Sequence, residues 1–203
     1  MNVINAAEVY VEYFRKFWDL ATPARKEFAG TNHPTGWAAS FESLLAFKTE
    51  VKRRHSNPLN TPLILDAGAG ASSAVLRLWF NHVVTCDSDE TYMMEVKQTC
   101  EKLAEMFECP KLATGDWHHG FYPASVDSTF YDYDNYDRRI QFMPTVMENT
   151  GSIIYIDDVD HRDRCMSVRG SAYWEARMKG WRLEDRPDLL DEHGRWGIMA
   201  TRL

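Results

Sequence analysis

Aspartates close one short apolar run after another along this chain. Leu63-Ile64-Leu65 leads into Asp66, Val83-Val84-Thr85-Cys86 into Asp87, and the run from Ser152 to Ile156 into Asp157 and Asp158. Asp116 follows Gly115, and Asp132 follows the run from Ser128 to Tyr131. Carboxylates gathered at one edge of a sheet can accept hydrogen bonds from sugar hydroxyls, balance a cationic ligand or supply hard oxygen ligands to a divalent ion. Gly68, Ala69 and Gly70 form a tight turn after Asp66, where glycine lets the backbone pass close to a ligand. A helix read from Ala74 onward would bring unpaired N–H groups to the same place. Asp66, two residues before the first glycine, would repel a pyrophosphate but suits a ligand with a positive charge and an amino group. Asp87, with Ser88 behind it, stands at the interval expected for an acid that holds ribose hydroxyls from the next strand.

The elements that must position these groups alternate. Strands are predicted at 63–65, 82–86, 111–114, 128–131 and 152–156, with helices between them, the pattern of a parallel sheet covered on both faces. Trp181 to Asp185 and Trp196 to Thr201 read as a terminal hairpin, and Pro144 should kink or shift the helix at 138–148. Upstream, Val9, Tyr10, Tyr13, Phe14, Phe17 and Trp18 form an aromatic helical stripe, which would pack on the core, line a pocket or meet a second subunit. Ala21 to Gly36 reads as a loop able to act as a lid, and Ser40 with Glu42 and Ser43 opens a second amphipathic helix. We therefore expect effectively one domain, with a helical extension and lid over 1–58 and a core over 59–203.

At 203 residues, 44% of them hydrophobic and with a net charge of −7, the chain should be a soluble, folded domain. No basic cluster stands out, which argues against nucleic acid as the main partner. Four cysteines without CxxC spacing, no basic leader and no membrane-length apolar run suggest a cytoplasmic setting.

Two glycines and two acids at this spacing, in an alternating chain that ends in a hairpin, resemble the S-adenosylmethionine (SAM) site of the class I methyltransferases over roughly residues 40–203. The resemblance implies a Rossmann-like, mostly parallel seven-stranded α/β sheet with an antiparallel last strand. It assigns SAM to Asp66, Gly68, Ala69, Gly70, Asp87 and Ser88, with Gly115, Asp116 and Trp117 at the adenine. The runs Phe130-Tyr131-Asp132 and Tyr155-Ile156-Asp157-Asp158 are similar to the metal segments of the caffeoyl-CoA and catechol O-methyltransferases. On that match Asp132, Asp157 and Asp158 would hold Mg²⁺, which would activate an acceptor hydroxyl.

This chain departs from that pattern in two places. Asp158 stands where those enzymes have asparagine, and their general-base lysine is missing, with Asn135 nearby. His161, or else His118 or His119, could then serve as base, with Asp132 and Asp157 as the other catalytic groups. Asp157-Asp158 followed by Arg162 also resembles metal-independent members of the fold, so both forms of the site stay open. The implied activity is O-methylation of a hydroxyl on a small molecule or sugar, with a homodimer through the amino-terminal aromatic helix as a further expectation. A NAD-binding oxidoreductase or a non-catalytic scaffold of the same fold are the alternatives.

Overall fold

The computed structural model describes residues 4–29, 39–57, 61–159, 163–190 and 194–203, with the side chains of 27–29 and 163–165 left aside. Five parallel strands form the body of one sheet: β1 (Leu63–Ala67), β2 (His82–Asp87), β3 (Asp116–His119), β4 (Val126–Tyr131) and β5 (Thr150–Ile156). The chain closes with β6 (Trp181–Arg186) and β7 (Gly197–Arg202), and β7 inserts antiparallel between β5 and β6. The order across the sheet is β3-β2-β1-β4-β5-β7-β6. It reverses direction beside β1, and in such sheets ligands bind outside the carboxyl ends at that point.

Helix α1 (Ala6–Leu20) starts where the Asn5 side chain accepts the Ala7 N–H at 3.1 Å. Its Val9, Tyr13 and Phe14 are buried with Ala71, Ala74, Met93, Val96 and Leu103. Phe17 stacks on Tyr13 and meets the edge of Tyr92. Core packing against α4 (Ala71–Trp79) and α5 (Glu90–Met106) therefore accounts for the aromatic stripe. The stretch expected as a loop after Ala21 is partly helical: α2 spans Pro23–Ala29, with proline at the first position where its missing N–H costs nothing. Arg25 of α2 pairs with Asp89 and lies 4.3 Å above the Tyr92 ring, and the Thr22 N–H reaches Glu95 at 2.9 Å. The remainder of the expected lid, 30–38, lies outside the described residues.

Helix α3 (Phe41–Arg54) begins at the Ser40 cap and packs beside α4 on the same face of the sheet. Its Phe47 meets Phe80 and Phe130 edge-on, and Phe130 stacks on Tyr155, whose hydroxyl bonds Ser43 at 2.8 Å. Helices α6 (Tyr136–Asn149) and α7 (Asp163–Lys179) close the opposite face. Pro144 sits inside α6, which continues past it to Asn149.

The third strand departs from expectation. Pro110–Ala113 is a 3₁₀ turn that buries Leu112, and the strand begins only at Asp116. Gly115, at φ +101°, makes the bend between them, and a Cβ there would lie 2.7 Å from the Val83 carbonyl. Leu112 is thus a plug beside the exposed Ala113, and the edge strand itself is polar and half-exposed.

Because Phe47 is fully buried between two rings, Phe47→Ala is expected to lower unfolding stability by about 3–5 kcal/mol. Urea denaturation of the two proteins followed by circular dichroism measures this.

Candidate functional site

The glycine turn is fixed from below. Asp66 is fully buried and accepts hydrogen bonds from Ser72 Oγ (2.7 Å), Ser73 Oγ (2.5 Å) and Thr85 Oγ1 (3.0 Å). Burial raises its carboxyl above the usual range, and the hydroxyl bonds pull the other way. Ser73 Oγ also accepts the Gly70 N–H at 3.1 Å, so one hydroxyl ties the turn to the strand. Arg77, buried one turn further along α4, donates to the Ser73 carbonyl at 2.9 Å, Thr85 Oγ1 at 2.7 Å and the Thr114 carbonyl at 2.7 Å. This corrects the direction expected for Asp66. It faces inward and braces the turn, and its carboxylate is closed off from the edge where a ligand's amino group would lie.

Gly68 is required by space and by conformation. Its φ is +108°, and a Cβ there would sit 2.2 Å from the Asp132 carbonyl oxygen. The backbone after β4 therefore crosses directly over the backbone after β1, joined also by Asp132 N–H donating to the Ala67 carbonyl at 2.8 Å. Gly70 is extended, with Tyr92 Oη 3.8 Å from where a Cβ would be.

Asp87 ends β2 beside this crossing. One oxygen accepts the Ala69 N–H at 2.9 Å and the other the Asp89 N–H at 2.9 Å. A carboxylate has about four lone-pair sites, so each oxygen keeps capacity for a ligand hydroxyl. Burial pushes its carboxyl up to about 6, with the backbone N–H bonds opposing and the neighbouring Asp134 adding to the rise. Ser88 Oγ donates to Asp134 at 2.5 Å, which links the ends of β2 and β4.

The register of β3 moves the expected adenine residues away from this edge. Asp116 pairs with Val84 and His119 with Asp87. Asp116 thus lies three residues upstream of the carboxyl end, about 10 Å along the strand. Gly115, Asp116 and Trp117 are at the wrong end of β3 for the role assigned to them. Trp117 instead packs under the Arg77 guanidinium at 4.1 Å. The residues that do reach the edge are His118, His119 and Gly120; His119 Nε2 lies 3.2 Å from the Ser88 carbonyl, and the Gly120 N–H donates to the Asp87 carbonyl at 2.7 Å.

The second acidic group comes together as the sequence suggested. Asp132, Asp157 and Asp158 offer oxygens all within 4.8 Å of one another. Two buried arginines, unmarked in the sequence, share the space. Arg139 of α6 pairs with Asp132, donates to Asp158 at 3.2 Å and to the Asp157 carbonyl at 3.3 Å. Arg195, between β6 and β7, pairs with Asp158 at 2.9 Å. Burial pushes the Asp132 carboxyl up to about 7, with Arg139 opposing and Asp158 adding. Asp157 is raised well above the carboxylate range by burial first and by Asp158 next. A divalent ion requires oxygens directed at one open centre. Here guanidinium groups already sit on Asp132 and Asp158, while Asp157 Oδ2 is buried without a hydrogen-bond partner, so the cluster holds two positive charges where a Mg²⁺ cage would hold its ion and does not fit one as it stands. His161 and Arg162 lie outside the described residues.

No protein-family model matches the sequence, and no curated protein matches it. Solved structures do. An O-methyltransferase from Bacillus cereus in complex with S-adenosylhomocysteine (SAH) aligns at TM-score 0.64 and 13% identity, over 94% of this chain and 90% of that one. The magnesium protoporphyrin IX methyltransferase from Synechocystis with bound SAH aligns at TM-score 0.57 and 10% identity, over 98% and 99% of the two chains. A SAM-dependent O-methyltransferase from Thermotoga maritima gives TM-score 0.51 at 15% identity, over 77% of this chain and 64% of that one. The chain has the class I SAM-dependent methyltransferase fold, with its glycine turn and Asp87 at the carboxyl edge of that sheet.

Replacing Gly68 forces an L side chain into a left-handed conformation and against the Asp132 carbonyl. Gly68→Ala is expected to cost roughly 3 kcal/mol of stability, read as a lower urea midpoint.

Proposed function

We propose that the protein is a SAM-dependent methyltransferase that methylates a hydroxyl of a small molecule or sugar. The observation that carries the reading is the pairing of Gly68 with Asp87. A left-handed glycine turn after β1 lies against a buried carboxylate at the end of β2 that retains acceptor capacity. That is the arrangement a nucleoside needs, with close backbone approach on one side and hydroxyl recognition on the other. The O-methyltransferases from Bacillus cereus and Thermotoga maritima support the choice of oxygen as acceptor.

On this reading Asp87 accepts hydrogen bonds from the ribose hydroxyls, and Gly68 to Gly70 let the cofactor lie against the backbone. The sulfonium supplies an activated methyl group, so the chain's own task is orientation and exclusion of water. The acceptor oxygen attacks the methyl carbon, the carbon–sulfur bond breaks with its electron pair going to sulfur, and the acceptor's proton leaves. Asp132 keeps 18% of its side chain exposed, whereas Asp157 and Asp158 are buried. It is the carboxylate of the second cluster that an acceptor hydroxyl can reach. His161 is the proposed base on the adjoining segment. No step runs through a metal ion.

Calorimetric titration of SAH into the protein tests the reading. We expect saturable one-to-one binding, weakened by about 1–3 kcal/mol in a folded Asp87→Asn variant. No binding by the wild-type protein would overturn it.

The Asp87 carboxyl also sets a pH dependence. Its proton leaves at about 6 in the free protein, and the ionised form is the better acceptor for ribose hydroxyls. SAH affinity is therefore expected to fall as pH drops below about 6, with protons released on binding near that pH. Titrations in buffers of different ionisation enthalpy measure that release, which should vanish in Asp87→Asn.

A further inference from the structure

Three carboxylates that look like a metal cage stand in this cleft with two guanidinium groups among them. We infer that Arg139 and Arg195 are the resident counter-ions of the Asp132/Asp157/Asp158 cluster, so that the site works without a divalent metal. The inference concerns the cleft proposed for methyl transfer, but its test does not depend on that activity.

Three observations carry it. The first is that both arginines are buried, at 5% and 1% exposure, so each brings a desolvated positive charge that must be paired. The second is where their donors go. Arg139 reaches Asp132 and Asp158 together with the main-chain carbonyls of Tyr133 and Asp157, so one guanidinium spans the loops after β4 and β5. Arg195 brings the β6–β7 connection onto Asp158 from the other side, through a single nitrogen within 3.0 Å of both carboxylate oxygens. The third is charge. Even with all three carboxylates ionised, the two guanidiniums leave no more than about one net negative charge, and a divalent ion added to them would make the group positive.

The aspartate in place of asparagine at 158 belongs to the same arrangement. Asp158 is the acid shared by both arginines. Both donate to its Oδ2, and an asparagine oxygen there could still accept from both but would bring no negative charge to balance them. Arg139 and Arg195 are positioning residues in this account, because they act through the aspartates and the loops they tie.

The test is a titration of Mn²⁺ into the chelator-stripped full chain, followed by electron paramagnetic resonance, with melting curves in EDTA and in excess Mg²⁺. We expect no saturable site below millimolar Mn²⁺ and melting temperatures that agree within about 1 °C. A cage with a Kd about a hundredfold below the ion concentration would add several degrees. A one-to-one micromolar site that Asp157→Asn removes would overturn the inference. Double-mutant coupling supplies the second readout. Arg195→Met alone should lower the melting temperature, because it leaves the buried Asp158 carboxylate with one of its two counter-charges, and adding Asp158→Asn to it should recover part of the loss. Additive effects of the two substitutions would overturn the pairing. Loss of SAH binding with the metal result unchanged would count against the methyltransferase reading and leave this one standing.

Discussion

Charge buried without water is the constraint on which the carboxyl edge of this sheet depends. Asp66, Asp87, Asp157, Asp158, Arg139 and Arg195 are all buried along it, with Arg77 buried behind Asp66. Isolated, each would cost several kcal/mol. The chain meets that cost in two ways. Around Asp66 the compensation is by hydroxyls and a guanidinium anchored mostly on carbonyls. Around Asp158 it is by two guanidiniums directly. Both networks join the ends of neighbouring elements beside their main-chain bonds, so the same bonds that neutralise charge also help set where the loops run. The contact of the Asp132 carbonyl with Gly68 follows from this, since Arg139 holds the Asp132 side chain on one side of the crossing while the Ala67 carbonyl takes its N–H on the other.

Strands buried on both faces were the most legible part of the sequence. Leu63-Ile64-Leu65, Val83-Val84 and Ile153-Ile154 are continuous apolar runs because both faces of a central parallel strand need apolar cover. The acids that end those runs were readable for the same reason. The edge strand was not. Asp116-Trp117-His118-His119 carries no apolar run, while Leu112-Ala113 beside it does, because a plugging 3₁₀ turn needs a buried leucine and a half-exposed strand does not. The adenine assignment moved with that boundary.

The arginines were illegible for a different reason. Arg139 meets Asp158 across 19 positions and Arg195 meets it across 37. Nothing local distinguishes an arginine that will be buried on a distant carboxylate from one that will stand in solvent. The acid pattern could be read as a metal cage only because its counter-charges were out of sight. Asp66 is a milder case. Ser72 and Ser73 stand just past the glycines, six and seven residues after the acid, where the first turn of α4 brings two hydroxyls back onto the carboxylate.

The two halves of the edge are therefore chemically unequal. The half formed by β1 and β2 has acceptor capacity to spare at Asp87, whose two N–H bonds leave lone pairs for a ligand. The half formed by β4 and β5 already holds two guanidiniums, on Asp132 and Asp158, and leaves Asp157 Oδ2 without a hydrogen-bond partner. A nucleoside can enter the first half with the existing bonds kept, whereas an ion in the second would meet two positive charges already seated there. Methyl transfer tolerates that inequality, because the electrophile arrives already activated and needs only a positioned nucleophile. On the proposed reading, with no ion to acidify it, the acceptor is an oxygen that loses its proton readily or one that meets a protein base at the moment of attack. His161, which follows Asp158 by three positions in the sequence, is the base that reading puts forward.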